Sequence, residues 1–106
     1  MSNIRISVPA TATVGEIIEI KTLIQHEMES GFRRGARGEV LERDIITRFE
    51  CRFDGKQVFA ADFFPAIAAN PFLTFHLRAS RSGTLDFAWT DQDGQVWTEQ
   101  ASLTVT

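Results

Sequence analysis

Cys51 is the only cysteine of this 106-residue chain and sits within Ile-Ile-Thr-Arg-Phe-Glu-Cys-Arg-Phe-Asp, residues 45–54. A thiol there could act as a nucleophile or carry a group covalently. Either task needs solvent access and a pKa lowered by a nearby cation or a helix N-terminus. The alternation of residue types instead puts Cys51 on an apolar side with Ile45, Thr47, Phe49 and Phe53, opposite Arg48, Glu50 and Arg52. Free cysteine packs as a small hydrophobe in such a setting. The spacing predicts a buried, structural Cys51, and a sulfur-handling thiol is the alternative reading.

Other chemistries lack their residues. A zinc or iron site needs three or four ligands, and the two histidines, His26 and His76, are fifty residues apart with no paired spacing. Both are expected at outward or loop positions as ordinary polar residues. Thr90-Asp91-Gln92-Asp93-Gly94 gathers aspartates, but it lacks the later glutamate of a calcium loop, and Asp-Gly is what a tight turn needs. No nucleophile elbow or phosphate-binding glycine loop is present. The residues predict no enzyme activity and no cofactor.

Two segments remain that could recognise a partner. Arg33-Arg34-Gly35-Ala36-Arg37-Gly38 places three arginines within five positions, after Glu27 and Glu29. Such a run is either a solvated loop or a surface for carboxylates and protein partners. The second segment, Pro65 to Pro71, carries Ile67 and Asn70-Pro71, which suits a shaped crossover.

The elements that must hold these segments are strands. Ile4 to Val8 alternates up to Pro9, and Ala10 to Gly15 reads as a turn. Glu16 to Gln25 is a long strand with Ile18, Ile20, Thr22 and Ile24 on one side. His26 to Arg43 keeps no period, and connections of that length are often functional. Ile45 to Asp54 is the next strand, Asp54-Gly55 a hairpin turn, and Lys56 to Ala60 the return. The prolines bar residues 63–71 from a central strand. Leu73 to Ala79, then Leu85, Phe87 and Trp89, then Gln95 to Thr106 complete the series. About seven strands with turn signals between them predict an all-β, immunoglobulin-like β-sandwich.

The totals agree with one domain spanning residues 1–106, since 43% hydrophobic residues in so short a chain supply one core. Fourteen acidic against eleven basic residues give a net charge of −3, which argues against a nucleic-acid partner. The longest stretch low in charge, residues 63–75, contains two prolines and is too short to span a bilayer, so no membrane partner is expected. The first residues show no apolar run of signal-peptide length.

The two recognition segments also carry a resemblance. His26-Glu27-Met28-Glu29-Ser30-Gly31 with Arg33-Arg34, then Ile45-Ile46 and Phe49, resembles the SoxZ family. So do Pro65-Ala66-Ile67-Ala68-Ala69-Asn70-Pro71 and the later spacing of Ser82-Gly83, Phe87, Trp89, Asp91 and Gly94. The likeness implies the Z subunit of SoxYZ, the periplasmic carrier complex of thiosulfate oxidation. In that family SoxY bears a C-terminal arm with a cysteine among glycines, on which sulfur intermediates ride between Sox enzymes. The resemblance therefore implies a heterodimer with a SoxY-like subunit, transient contacts with other Sox enzymes, and export to the periplasm together with a signal-bearing partner. It points to His26, Met28, Glu29, Arg33, Arg34, Ile67, Asn70 and Pro71 as partner-binding residues. It leaves open self-association of the isolated chain. Ala101 to Thr106 is a strand without a Gly-Gly-Cys tail, which suits the Z role. Glu27 and Glu42 stand where the family would have proline, and Gly35 where an acidic residue is common. A generic recognition module of the same fold is the remaining alternative.

Overall fold

The structure, a computed structural model, describes residues 3–106. Eight strands form: β1 (Ile4–Ser7), β2 (Thr11–Ala12), β3 (Ile17–Ile24), β4 (Ile46–Phe53), β5 (Lys56–Asp62), β6 (Phe72–Arg78), β7 (Gly83–Asp91) and β8 (Val96–Val105). They make two sheets, of order β1-β3-β6 and β2-β8-β7-β4-β5. This is the all-β, immunoglobulin-like sandwich expected from the alternating pattern. The extra strand is β2. The segment read as a turn after Pro9 crosses to the other sheet and pairs Thr11 and Ala12 in parallel with Thr104 and Val105. Two residues are too few to show a period, so alternation could not reveal it.

The alternation is explained by what each face meets. β3 buries Ile18, Ile20, Thr22 and Ile24, and β4 buries Ile46, Phe49, Cys51 and Phe53 against them. Phe49 sits at the centre, its ring 5.1 Å from Trp89, 5.9 Å from Phe75, 6.1 Å from Phe59 and 6.3 Å from Phe87. These rings join both sheets into one core. Aromatic packing of this kind contributes roughly 0.5–1.5 kcal/mol per pair beyond area burial.

The turns fix the ends. Asp54 and Gly55 both take positive φ, 49° and 85°, the left-handed pair that a tight hairpin needs. The Asp54 carboxylate then reaches the next turn, accepting from Thr84 N at 2.8 Å and from Arg81 Nη1 at 2.5 Å. A side chain at Gly83 would meet that carboxylate and the Phe53 ring at 2.6–2.8 Å. At the other end the turn expected at Asp93-Gly94 forms, braced by Asp91 at the end of β7. Its Oδ1 accepts from Asp93 N at 2.9 Å and Gln95 N at 2.8 Å.

Candidate functional site

His26 and Asn70, 44 residues apart, are clasped by their backbones and the Asn70 side chain. His26 N donates to Asn70 Oδ1 at 3.0 Å, and Asn70 N donates back to His26 O at 2.7 Å. Asn70 takes φ of 54°, which asparagine tolerates better than most residues, and Pro71 behind it is buried. The clasp ties the end of β3 to the start of β6, the two strands that the long loop and the crossover leave and enter. His26 lies in a loop as expected, yet its side chain is only 7% exposed. Its ring edge meets Trp97 with centroids 5.9 Å apart. Nδ1 accepts from Met28 N at 2.9 Å, and Nε2 faces Asp44 Oδ1 at 3.5 Å. That bond accounts for the unusual backbone of Met28, whose φ is 53°. Met28 turns its side chain into the core, where Sδ accepts from Ile46 N at 3.3 Å.

Residues 29–44 are not a shapeless loop. They fold back on themselves as an irregular antiparallel arm, with bridges Glu29↔Asp44 and Arg34↔Val40. Leu41 N donates to Arg33 O at 3.0 Å and Gly35 N to Glu39 O at 2.8 Å. Its glycines and short polar stretches hide the pairing from any period of two. At the arm's base the buried Glu29 accepts from Arg33, at 2.6 Å from Nη2 and 3.2 Å from Nε. The guanidinium holds the Glu29 carboxyl below the usual carboxylate range, and the carboxylate raises Arg33 in turn. Arg34 turns its Nη1 to Gly38 O at 2.9 Å. Arg33 therefore builds the arm, whereas Arg34 and Arg37 have no carboxylate partner among the described residues.

The structure adds residues that the sequence pattern did not single out. Gln92 locks the arm to the β7–β8 turn, its Oε1 accepting from Arg43 Nε at 3.0 Å and its Nε2 donating to Arg43 O at 2.7 Å. No sequence signal marks it, since the contact joins residues 49 apart. Phe32 at the arm, Phe64 in the crossover and Phe72 at the start of β6 are exposed, at 85%, 62% and 62%, beside the Ile67 already expected at the surface. Phe64 and Phe72 could have been found as large apolar residues flanking a segment that proline keeps out of the core. Phe72 lies opposite Leu23 on the outward face of β6. The same end of the sandwich thus joins exposed aromatic surface, two arginines free of ion pairs and a rigid clasp.

The family model of the sulphur oxidation protein SoxZ matches residues 4–102. This chain belongs to the SoxZ family. It is thereby a Sox sulfur-oxidation complex subunit. Among solved structures, the SoxZ-family chain is similar to the sulfur carrier protein SoxY from Chlorobium limicola f thiosulfatophilum, at 15% identity and a TM-score of 0.68 over 97% of this chain and 78% of that one. It is also similar to superoxide reductase (neelaredoxin) from Ignicoccus hospitalis, at 17% identity and a TM-score of 0.73 over 97% and 80%. At these identities the likenesses are of fold. Comparison with individual curated proteins gives no significant match. Among the described residues, no three of His, Cys, Asp and Glu come together as a metal site would require.

Cys51 of the SoxZ-family chain is fully buried between the sheets, as the alternation predicted. Burial, and then the nearby Asp86 carboxylate, push its thiol up to about 12. The thiol therefore stays protonated at neutral pH, and the thiolate is the reactive form. We expect a water-soluble thiol reagent to label Cys51 only in denaturant; prompt stoichiometric labelling of the native chain would restore the reading of a sulfur-handling thiol. Of the departures from the family pattern, Gly35 has a local reason. The Glu39 side chain fills the space that a side chain at Gly35 would take, and its Oε2 accepts from Arg37 N at 3.1 Å. An acidic residue at 35 would set two carboxylates against each other. Nothing in the structure explains glutamate at 27 or 42.

Proposed function

We propose that this SoxZ-family chain is the non-catalytic half of a carrier complex, binding and supporting a SoxY-like subunit whose C-terminal cysteine arm carries the sulfur intermediates. The observation that carries this reading is the family match across residues 4–102. The buried, protonated Cys51 agrees with it, because a thiol fixed inside a sandwich cannot visit other active sites. Residence in the periplasm, by export together with a signal-bearing partner, belongs to the same proposal.

The contact surface we assign is the end that bears the arm and the crossover. Exposed Phe32, Phe64, Ile67 and Phe72 offer apolar anchors, and aromatic residues and arginine are enriched where protein partners meet. Arg34, Ile67 and Asn70 contact the partner directly in this reading. His26, Met28, Glu29, Arg33 and Pro71 act by shaping the backbone beneath. Other Sox enzymes then meet the composite surface transiently.

Titration of this chain with a SoxY-like protein of the same organism, by calorimetry, tests the reading. A one-to-one complex with a dissociation constant of about 1 µM or below is the expected result. No heat and no co-elution at concentrations well above that value would overturn the role as partner subunit while leaving the family membership intact.

A further inference from the structure

The His26 imidazole performs a task that only its neutral form can perform. Nδ1 accepts a hydrogen bond from Met28 N at 2.9 Å. A backbone N–H can only donate, so Nδ1 is unprotonated and the ring hydrogen sits on Nε2. Nε2 in turn faces Asp44 Oδ1 at 3.5 Å. A second proton makes both ring nitrogens donors. Nδ1–H and Met28 N–H then point at each other, and an attraction becomes a repulsion.

The surroundings decide what gives way. The His26 backbone is fixed by the clasp, since its N and its O both bond to Asn70. The ring is buried and set edge-on against Trp97. Met28, by contrast, holds a φ of 53°, which a residue other than glycine adopts only with support. Its bond to His26 is that support. Met28 also leads directly into the arm, where Glu29 N donates to Asp44 O and Asp44 N to Glu29 O, at 2.8 Å each. Its buried side chain accepts from Ile46 N at 3.3 Å through Sδ. A shift of Met28 therefore pulls on the base of the arm and on the first residue of β4.

A cationic ring has counter-ions on its other side. Glu27, Asp44, Asp91 and Asp93 line the same recess as His26, with no lysine or arginine among its described lining residues. Arg33 and Arg43 line the adjoining recess, together with Glu27, Glu29, Glu42, Asp44 and Asp93. Either the protonated ring turns out toward these carboxylates or Met28 turns away from the ring. Both movements break the same bond.

We propose that His26 is a proton-operated latch on the arm. Neutral, it holds Met28 and keeps the base of residues 29–44 closed on the sandwich. Protonated, it releases Met28 and loosens that base. The open form binds one proton more than the closed form, so the arm opens as pH falls and closes as pH rises. Phe32 and Arg34 ride on the arm, so the surface assigned to a SoxY-like partner changes shape with it. That consequence rests on the proposed function, whereas the latch itself does not.

Nuclear magnetic resonance of the isolated full chain tests the latch from about pH 8 to about pH 5.5, where imidazole changes charge. The other histidine, His76, lies on the exposed outer face of β6 beside Glu19 and serves as an internal control. At the high end the nitrogen shifts of the His26 ring should report the Nε2–H form. As the ring titrates, the Met28 amide should move with the same midpoint. Hydrogen-exchange protection of the Glu29 and Asp44 amides should fall about tenfold or more, the equivalent of one hydrogen bond, while Phe87 in β7 keeps its protection. His76→Gln should leave this response unchanged. His26→Gln, with its fold checked by circular dichroism, should abolish it, and the measurements on the unaltered chain stand without that variant. An Nδ1–H ring at high pH, a ring that stays neutral throughout, or arm amides that stay protected while the ring titrates would each overturn the latch. No partner is added, so the outcome is separate from whether a SoxY-like subunit binds.

Discussion

Truncating Phe49 to alanine is expected to cost about 3–5 kcal/mol of folding stability, the range for removing a buried aromatic ring. Phe49 is fully buried and its ring meets four others, Phe59, Phe75, Phe87 and Trp89, drawn from both sheets. These neighbours sit on strands fixed by ladder hydrogen bonds, so they cannot close the hole that alanine leaves. A single domain of this size has about 5–15 kcal/mol in all. The variant should therefore unfold in urea at a midpoint lowered by a large fraction, with the slope of the transition unchanged. A loss below about 1 kcal/mol would show that the two sheets do not share this aromatic core. Phe49→Leu, which keeps most of the volume, should recover more than half of the loss.

The second large effect concerns binding. Replacing Phe72 by aspartate is expected to weaken the complex with a SoxY-like protein by a factor of about 30 or more, the loss seen at an interface hot spot. Phe72 begins β6 with its side chain 62% exposed on the outward face opposite Leu23. The clasp between His26 and Asn70 holds the chain rigid just before it, so little ordering is needed on contact. A charge on that spot must be desolvated without a partner. The folded chain meanwhile loses little, because the ring is not part of its core. Calorimetric titration of the variant, beside its melting curve, separates the two effects. Undiminished affinity with an unchanged melting temperature would remove the crossover end from the interface.

Much of this protein is legible in its order of residues. The period-two pattern of Ile18-Ile20-Thr22-Ile24 and of Phe49-Cys51-Phe53 specifies strands and their buried faces, because side chains of a regular strand alternate between two sides; a bulge between Ile46 and Arg48 breaks that period and buries Ile46, which the alternation would turn outward. The same rule places Cys51 in the core. Asp54-Gly55 and Asp93-Gly94 mark hairpins, since few other residues accept that backbone. The candidate site is less legible. His26, Met28, Glu29, Asn70 and Pro71 are recognisable as motif residues, but nothing in their types says that His26 is buried or that Glu29 and Arg33 brace an arm. Their meaning depends on partners far along the chain: Asn70 for His26, Asp44 for Glu29, Gln92 for Arg43. The same holds for β2, a strand of two residues that exists only because the end of β8 lies beside it.

The sequence by itself determined the buried faces of the regular strands, where the hairpins turn, and that the lone thiol is packing. Local periodicity and turn chemistry act over a few residues and need no knowledge of the rest. Only the tertiary structure decided which loops meet at one end and which strand edge is left open. Those outcomes depend on contacts between residues some 15 to 50 positions apart, and no local preference encodes them.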